Sequence, residues 1–191
     1  MIGNDIVSLD FAKNSKNWKN QRFLDKLFTK TEQNVIKLAQ NPFVEIWKLW
    51  SLKESAYKLY VQRFNQRFYA PIQFECNFFK DEVTVSKEDF LCNTKTLQNE
   101  NYVFSIAFQE TVEVYSDCIK LKYSNYKYQS ATTTLELKKA VSKHFNIAVQ
   151  HLNVCKSEIG IPKIYFYNQV LPVDISLSHH GHYGAFSLVF K

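Results

Sequence analysis

The chain has 191 residues, with 24 Lys and Arg against 18 Asp and Glu and a net charge of +6. Its 46% hydrophobic and 16% aromatic content excludes intrinsic disorder, and no apolar run approaches the roughly 20 residues of a membrane span. Residues 1–11 (MIGNDIVSLDF) lack the basic and long apolar regions of a signal peptide, so a soluble cytoplasmic protein is expected.

Residues 2–10 read as a short strand. Thr29-Lys30-Thr31-Glu32 is a capping-box pattern that predicts a helix over 30–39, with Val35, Ile36 and Ala39 inward. Asn41-Pro42 sets the next start, Asn as cap and Pro in the first turn. No Gly or Pro interrupts 43–70, so that helix runs to about residue 63. After Pro71 the hydrophobic period changes to two, and 72–79, 82–86 and 102–108 read as strands, with Lys80-Asp81 as a hairpin turn. Residues 111–128 alternate and read as a further strand pair. Thr133-x-x-Glu136 is a second capping box, predicting a helix to about residue 145 with Leu137, Ala140 and Val141 on one face. Strands near 163–167, 173–178 and 183–190 follow, with a turn at Asn168-Gln169. The class is α+β, in two halves (1–115 and 116–191) that each place a helix before antiparallel strands.

Cys76, Cys92, Cys118 and Cys155 are scattered, with no C-x-x-C pair, and read as reduced thiols rather than a zinc or redox motif. The excess of positive charge favours a polyanionic partner: a nucleic acid, an anionic cofactor or an acidic protein. A plain surplus of surface lysine is the alternative. No basic run interleaved with aromatics is present, which disfavours a nucleic-acid module.

All four glycines fall in three segments, at Gly3, Gly160, and the pair Gly181 and Gly184. They are ordinary turns or the edges of a site, where glycine lets backbone approach a ligand. Trp50, Glu54 and Lys58 stack along one helix face. Glu54 and Lys58 are then a surface ion pair, or a carboxylate metal ligand flanked by phosphate-binding amines. His179, His180 and His182 permit a metal site, but strand neighbours point to opposite faces. Ser178 beside His179 lacks the G-x-S-x-G elbow of a hydrolase. A Ser and a His at a strand end beside a glycine turn suit the holding of an anion. No P-loop or G-x-G-x-x-G occurs.

Gly3-x-Asp5-Ile6, Trp50-x-x-Lys53-Glu54-x-x-x-Lys58 and Ser176-Leu177-Ser178-His179 together resemble the motifs of the 4′-phosphopantetheinyl transferases, and the flanks from Arg22-Phe23 to Glu32 agree. The resemblance covers most of the chain and thins through 80–130. The motif order is that of the short holo-acyl-carrier-protein synthases. The length is similar to that of the two-half surfactin-type enzymes, with the halves exchanged in order. That likeness implies a fold of two similar halves, each an antiparallel sheet packed on a long helix. The site would lie between them, in an active monomer whose chain ends are neighbours; a trimer is the rival.

The resemblance implies transfer of the phosphopantetheine arm of coenzyme A to a serine of an apo carrier protein, acyl or peptidyl in type and acidic. Asp5 and Glu54 match the family's Mg²⁺ ligands, and Glu54 is the candidate base, directly or through a bound water. Lys58 matches the lysine near the bridging phosphates, with Lys53 as a helper. Ser178 and His179 match coenzyme-phosphate contacts. The family's Gly-Lys-Pro adenine contact becomes Gly160-Ile161-Pro162-Lys163, so Pro162 carries over better than Lys163. Val7 stands where surfactin-type enzymes often carry another acid, which leaves water to complete the metal shell. Glu32 matches a family carboxylate, although its capping box suffices to explain it. A non-catalytic member that binds coenzyme A or a carrier protein is the second reading.

Overall fold

In the computed structural model, which describes residues 1–68, 70–80, 82–110 and 113–191 apart from the side chains of Lys16 and Asn17, the chain enters on strand β1 (Gly3–Ser8). Short helices α1 (Leu9–Lys13) and α2 (Gln21–Leu27) lead to α3 (Lys30–Leu38). The capping box of α3 forms as expected, with Thr29 N–H donating to Glu32 Oε2 at 2.7 Å. Helix α4 (Pro42–Phe64) starts where Asn41 Oδ1 accepts from Val44 N–H and ends at Asn65 in the left-handed region. Strands β2 (Glu75–Phe79), β3 (Glu82–Lys87), β4 (Phe90–Gln98) and β5 (Tyr102–Phe108) then complete an antiparallel sheet ordered β1-β5-β4-β3-β2.

Leu49, Leu52, Ala56 and Leu59 of α4 bury themselves against Phe74, Cys76, Val85, Phe90 and Ala107. Each fully buried Leu or Phe side chain contributes about 1.5–3 kcal/mol. Gly3 sets how closely α4 seats on β1: a Cβ there would stand 1.9 Å from the Ser55 carbonyl oxygen. That seating brings the middle of α4 beside Asp5.

The rest of the chain, called the second half below, forms strand β6 (Tyr115–Lys120), helix α5 (Tyr126–Phe145), and strands β7 (Leu152–Lys156), β8 (Pro162–Phe166), β9 (Gln169–Val170), β10 (Val173–His180) and β11 (Tyr183–Phe190). Its sheets are ordered β10-β11-β6 and β7-β8-β9. Leu137 and Val141 of α5 pack on Leu152, Ile164, Ile175 and Phe186.

Side chains join the halves where β1 meets β10. Asn4 N–H donates to Ser176 Oγ at 2.9 Å, and Ser176 Oγ donates to Asn4 Oδ1 at 3.0 Å. Ser8 N–H donates to His180 Nδ1 at 3.0 Å. Met1 and Lys191 both reach Asp174, each at 2.9 Å, so the two ends of the described chain are neighbours. Among the described residues, no helix is long and apolar enough to cross a membrane.

Several local expectations need correction. The long second helix starts not at Thr133 but at Asn125, whose side chain accepts from Tyr128 N–H. Thr133 lies in mid-helix, its hydroxyl donating to the Gln129 carbonyl, and Glu136 pairs with Lys139. The strand pair expected over 111–128 is one strand, β6, followed by the start of α5; Thr111 and Val112 lie outside the described residues. Pro71–Gln73 is a 3₁₀ turn, so β2 begins at Glu75 rather than at residue 72. Asp81 of the expected hairpin turn also lies outside the described residues. Gln169, expected in a turn, pairs in β9.

Candidate active site

Three adjoining cavities follow the exposed flank of α4. The first, about 380 Å³, holds Glu54, Tyr57 and Arg67 with an apolar wall of Phe68, Pro71 and Phe74. Tyr57 and Arg67 continue into the second, about 300 Å³, where Lys58 faces Lys156, Gly160 and Pro162. Lys58 and Lys156 continue into the third, about 550 Å³, lined by Asp5, Ser178 and His179 and by Tyr126, Ser130 and Thr134 of α5. Together they form one cleft: the first cavity is lined by the first half alone, and the second and third have the first half on one wall and the second half on the other.

Asp5 and Glu54 are inward carboxylates on neighbouring elements. Burial raises the pKa of Asp5, and Lys58 and His180 offset part of that rise. Glu54 is pushed up to about 7, mainly by burial and then by the charge of Asp5. Lys58 does not form the expected i,i+4 pair with Glu54. Its ammonium donates to the Asn4 carbonyl at 2.7 Å and to Asp5 Oδ1 at 3.1 Å. Both contacts follow from the seating of α4 on β1.

On the opposite wall, two histidines are held below their ordinary range. Burial lowers the pKa of His179, and Lys58 and Lys156 lower it further. His180 is also lowered by burial, against the pull of Asp5, and its Nδ1 accepts from Ser8, so its neutral form carries the proton on Nε2. The Ser178 hydroxyl is buried and has no hydrogen-bond partner among the described residues. An unmade hydrogen bond at a buried hydroxyl is costly. A cleft-lining residue that tolerates one is placed to receive a ligand.

Two expected contributors fall elsewhere. Lys53 is buried inside the first half, with its ammonium 2.6 Å from Glu32 Oε2 and donating to the Leu27 and Pro71 carbonyls. Glu32 Oε1 accepts from Cys76 N–H, so the pair is satisfied on both sides and ties α3, α4 and β2 together. Successive helical residues are turned by about 100°, which sends Lys53 into the core when Glu54 faces the cleft. Pro162 lines the cleft, but Lys163 is exposed and paired with Cys155 on the other face of its strand.

Arg67, Lys156, Tyr57 and the α5 hydroxyls were missed by sequence reasoning. They sit in no motif; nearness to Gly160 was the one signal available for Lys156. Trp50 is half-buried against the first core. Among the described residues, no three His, Cys, Asp or Glu side chains gather to hold a metal.

No curated protein matches the chain. The family model of the 4′-phosphopantetheinyl transferase superfamily matches residues 1–108, the half that carries Asp5, Glu54 and Lys58. That match spans more than half of the 191 residues, and the α+β arrangement of antiparallel sheets and helices agrees with the family's fold. The chain belongs to the 4′-phosphopantetheinyl transferase superfamily.

Proposed function

We propose that this chain transfers the 4′-phosphopantetheine arm of coenzyme A to a serine of an apo carrier protein, with Mg²⁺, releasing adenosine 3′,5′-bisphosphate. The transferase class itself follows from the family. The observation that carries the finer reading is the meeting of Asp5, Glu54 and Lys58 with Pro162, Ser178 and His179 around one cleft.

The donor set fits Mg²⁺, which takes hard oxygens and is commonly held by one or two carboxylates with phosphate and water. Asp5 and Glu54 are two part-buried carboxylates, both biased toward protonation by burial despite the nearby Lys58. Val7 adds no third acid. Held there, the ion would offset the charge of the donor's diphosphate.

The chain's own residues account for the rest. The serine oxygen bonds to the phosphorus that bears the pantetheine arm. The bond from that phosphorus to the bridging oxygen breaks, and its electron pair leaves on adenosine 3′,5′-bisphosphate. The serine proton passes to Glu54, directly or through water. Lys58 has three N–H donors and directs two of them to Asn4 and Asp5, leaving one for a phosphate oxygen. Ser178 has its hydroxyl free for the donor, and Lys156 adds charge on the same wall. The net charge of +6 favours an acidic carrier.

Because residues of both halves line the cleft, we take the active form to be a monomer of two halves, 1–115 and 116–191, in exchanged order. The family thus supports coenzyme A as donor and a carrier protein as acceptor. Mass spectrometry of apo carrier protein incubated with enzyme, coenzyme A and Mg²⁺ is the test. A phosphopantetheine mass gain that EDTA abolishes is expected. Full activity in excess EDTA would remove the metal. Coenzyme A binding without any transfer would favour a non-catalytic member.

A further inference from the structure

Of the chain's three arginines, Arg67 alone lines a cavity described above, and it lines two. It stands where the chamber containing Glu54 opens into the groove containing Lys58 and Pro162. It belongs to the segment that leaves α4, yet its guanidinium reaches the second half: one terminal nitrogen lies 3.8 Å from where a Cβ on Gly160 would be. Gly160 has a left-handed φ of 83° and no side chain, which keeps that approach open.

The segment is placed by packing. Asn65, with φ 55°, turns the chain off the helix. Phe68 then stacks on Phe74 at 5.9 Å, meets Tyr57 and Tyr60 edge-on, and lies under the Lys87 ammonium. Arg67 is exposed but adjoins this anchor, and no ion pair holds it among the described residues.

We propose that Arg67 binds the donor's diphosphate in the groove it shares with Lys58 and stabilises the charge gathering on the departing phosphate. This rests on the transferase reading above. As the bond from phosphorus to the bridging oxygen breaks, negative charge grows on the leaving oxygen, and fixed cations aimed there lower the barrier. A guanidinium presents a planar fork that engages two phosphate oxygens, whereas Lys58 is a point charge largely engaged by Asp5 and Asn4.

The test compares Arg67→Ala, Arg67→Lys and Arg63→Ala with the wild-type chain. Arg63 is an exposed arginine near the end of the same helix that lines none of the three cavities. Coenzyme A binding is read by calorimetry, and kcat/KM is measured with coenzyme A and with its 3′-dephospho form, which keeps the diphosphate. Arg67→Ala should lose about 10²-fold in kcat/KM with both donors. Arg67→Lys should recover part of the loss, and Arg63→Ala should stay within about twofold of wild type. Wild-type turnover matched by Arg67→Ala would overturn the assignment and leave the transferase reading standing. A loss confined to intact coenzyme A would also overturn it, by moving the guanidinium to the 3′-phosphate. A wild-type chain that neither binds nor uses coenzyme A would end the transferase reading and this assignment with it.

Discussion

In the first half, the strand before the long helix, β1, pairs with the last strand of its run, β5; in the second half β6 pairs with β11 in the same antiparallel way. Each half seats its helix over a strand glycine, Gly3 under α4 and Gly184 under α5. The walls they present to the cleft differ. α4 offers Glu54 and Lys58 beside Asp5, whereas α5 offers the hydroxyls of Tyr126, Ser130 and Thr134 beside Ser178 and His179. One wall suits moving a proton, and the other suits holding an anion. Burial pushes both toward neutrality: the carboxylates are raised and the histidines lowered. An arriving polyanion and its counter-cation would relieve both biases.

The sharpest way to separate the walls is to remove the proton acceptor. Glu54→Gln should cut kcat by about 10³-fold while leaving the melting temperature at neutral pH equal or higher, because a buried carboxylate is replaced by a neutral amide. Steady-state kinetics beside thermal melts checks this, and near wild-type turnover would return Glu54 to the helix surface.

The two seating glycines give the next largest effect. A Cβ on Gly3 meets backbone of α4, the Ser55 carbonyl at 1.9 Å, and backbone cannot step aside. Gly3→Ala should therefore cost about 3 kcal/mol or more. A Cβ on Gly184 meets the Thr133 side chain, with Oγ1 at 2.1 Å. Gly184→Ala should cost about 1–2 kcal/mol and be partly rescued by Thr133→Ala. Denaturant melts of the single and double variants measure this, and equal penalties without rescue would contradict the contrast.

How far the sequence disclosed all this depends on how local each signal is. The Thr29–Glu32 capping box and Asn41-Pro42 were legible because their hydrogen bonds close within four residues. Thr133-x-x-Glu136 carries the same letters but lies well inside α5, since Asn125 starts the helix earlier and the period-two pairs Leu121/Tyr123 and Tyr126/Tyr128 resemble a strand. β4 escaped notice because its run from Phe90 to Gln98 is largely polar and leaves Leu91 and Leu97 exposed. The glycine-poor chain also hides turns, using Asn65, Lys80, Glu88, Asn146 and Tyr167 at positive φ. In the site, motifs disclosed Asp5, Glu54, Lys58, Ser178 and His179, but Lys53 was misplaced because adjacency in a helix does not fix a face. Arg67 and Lys156 reach the cleft only through the packing of the two halves.

The titration of Glu54 sets apart the two walls by sign. Its folded pKa of about 7 exceeds the ordinary 4.5, so between those values the folded state holds a proton that the unfolded state releases. Stability therefore falls as pH rises through that window, by up to about 3 kcal/mol. His179 and His180, lowered when folded, act in the opposite direction below 6.5. The difference between wild type and Glu54→Gln cancels the histidines and isolates the carboxylate. Melts from pH 5 to 8 should show wild type losing ground to the variant as pH rises, and Mg²⁺ should flatten the trend by competing with the proton. Parallel curves would place Glu54 in water rather than in a buried pair.

The smallest effect tests the holding wall alone. Ser178 Oγ is buried without a partner among the described residues, so in the free chain it carries an unmet desolvation cost. Removing it with Ser178→Ala should leave the melting temperature unchanged or slightly raised. Once donor is bound, the same hydroxyl is expected to give one hydrogen bond to an anionic oxygen, and such bonds contribute about 1.5–3 kcal/mol. The variant should therefore bind coenzyme A about tenfold more weakly, with KM rising while kcat stays within a few-fold, because the bond is made equally in the ground state and the transition state. Glu54→Gln must show the reverse emphasis, kcat falling far more than donor affinity, if the walls divide the work as their chemistry indicates. A Ser178→Ala variant that melts lower and binds donor normally would make the serine a packing residue and put the anion contact elsewhere on the second half.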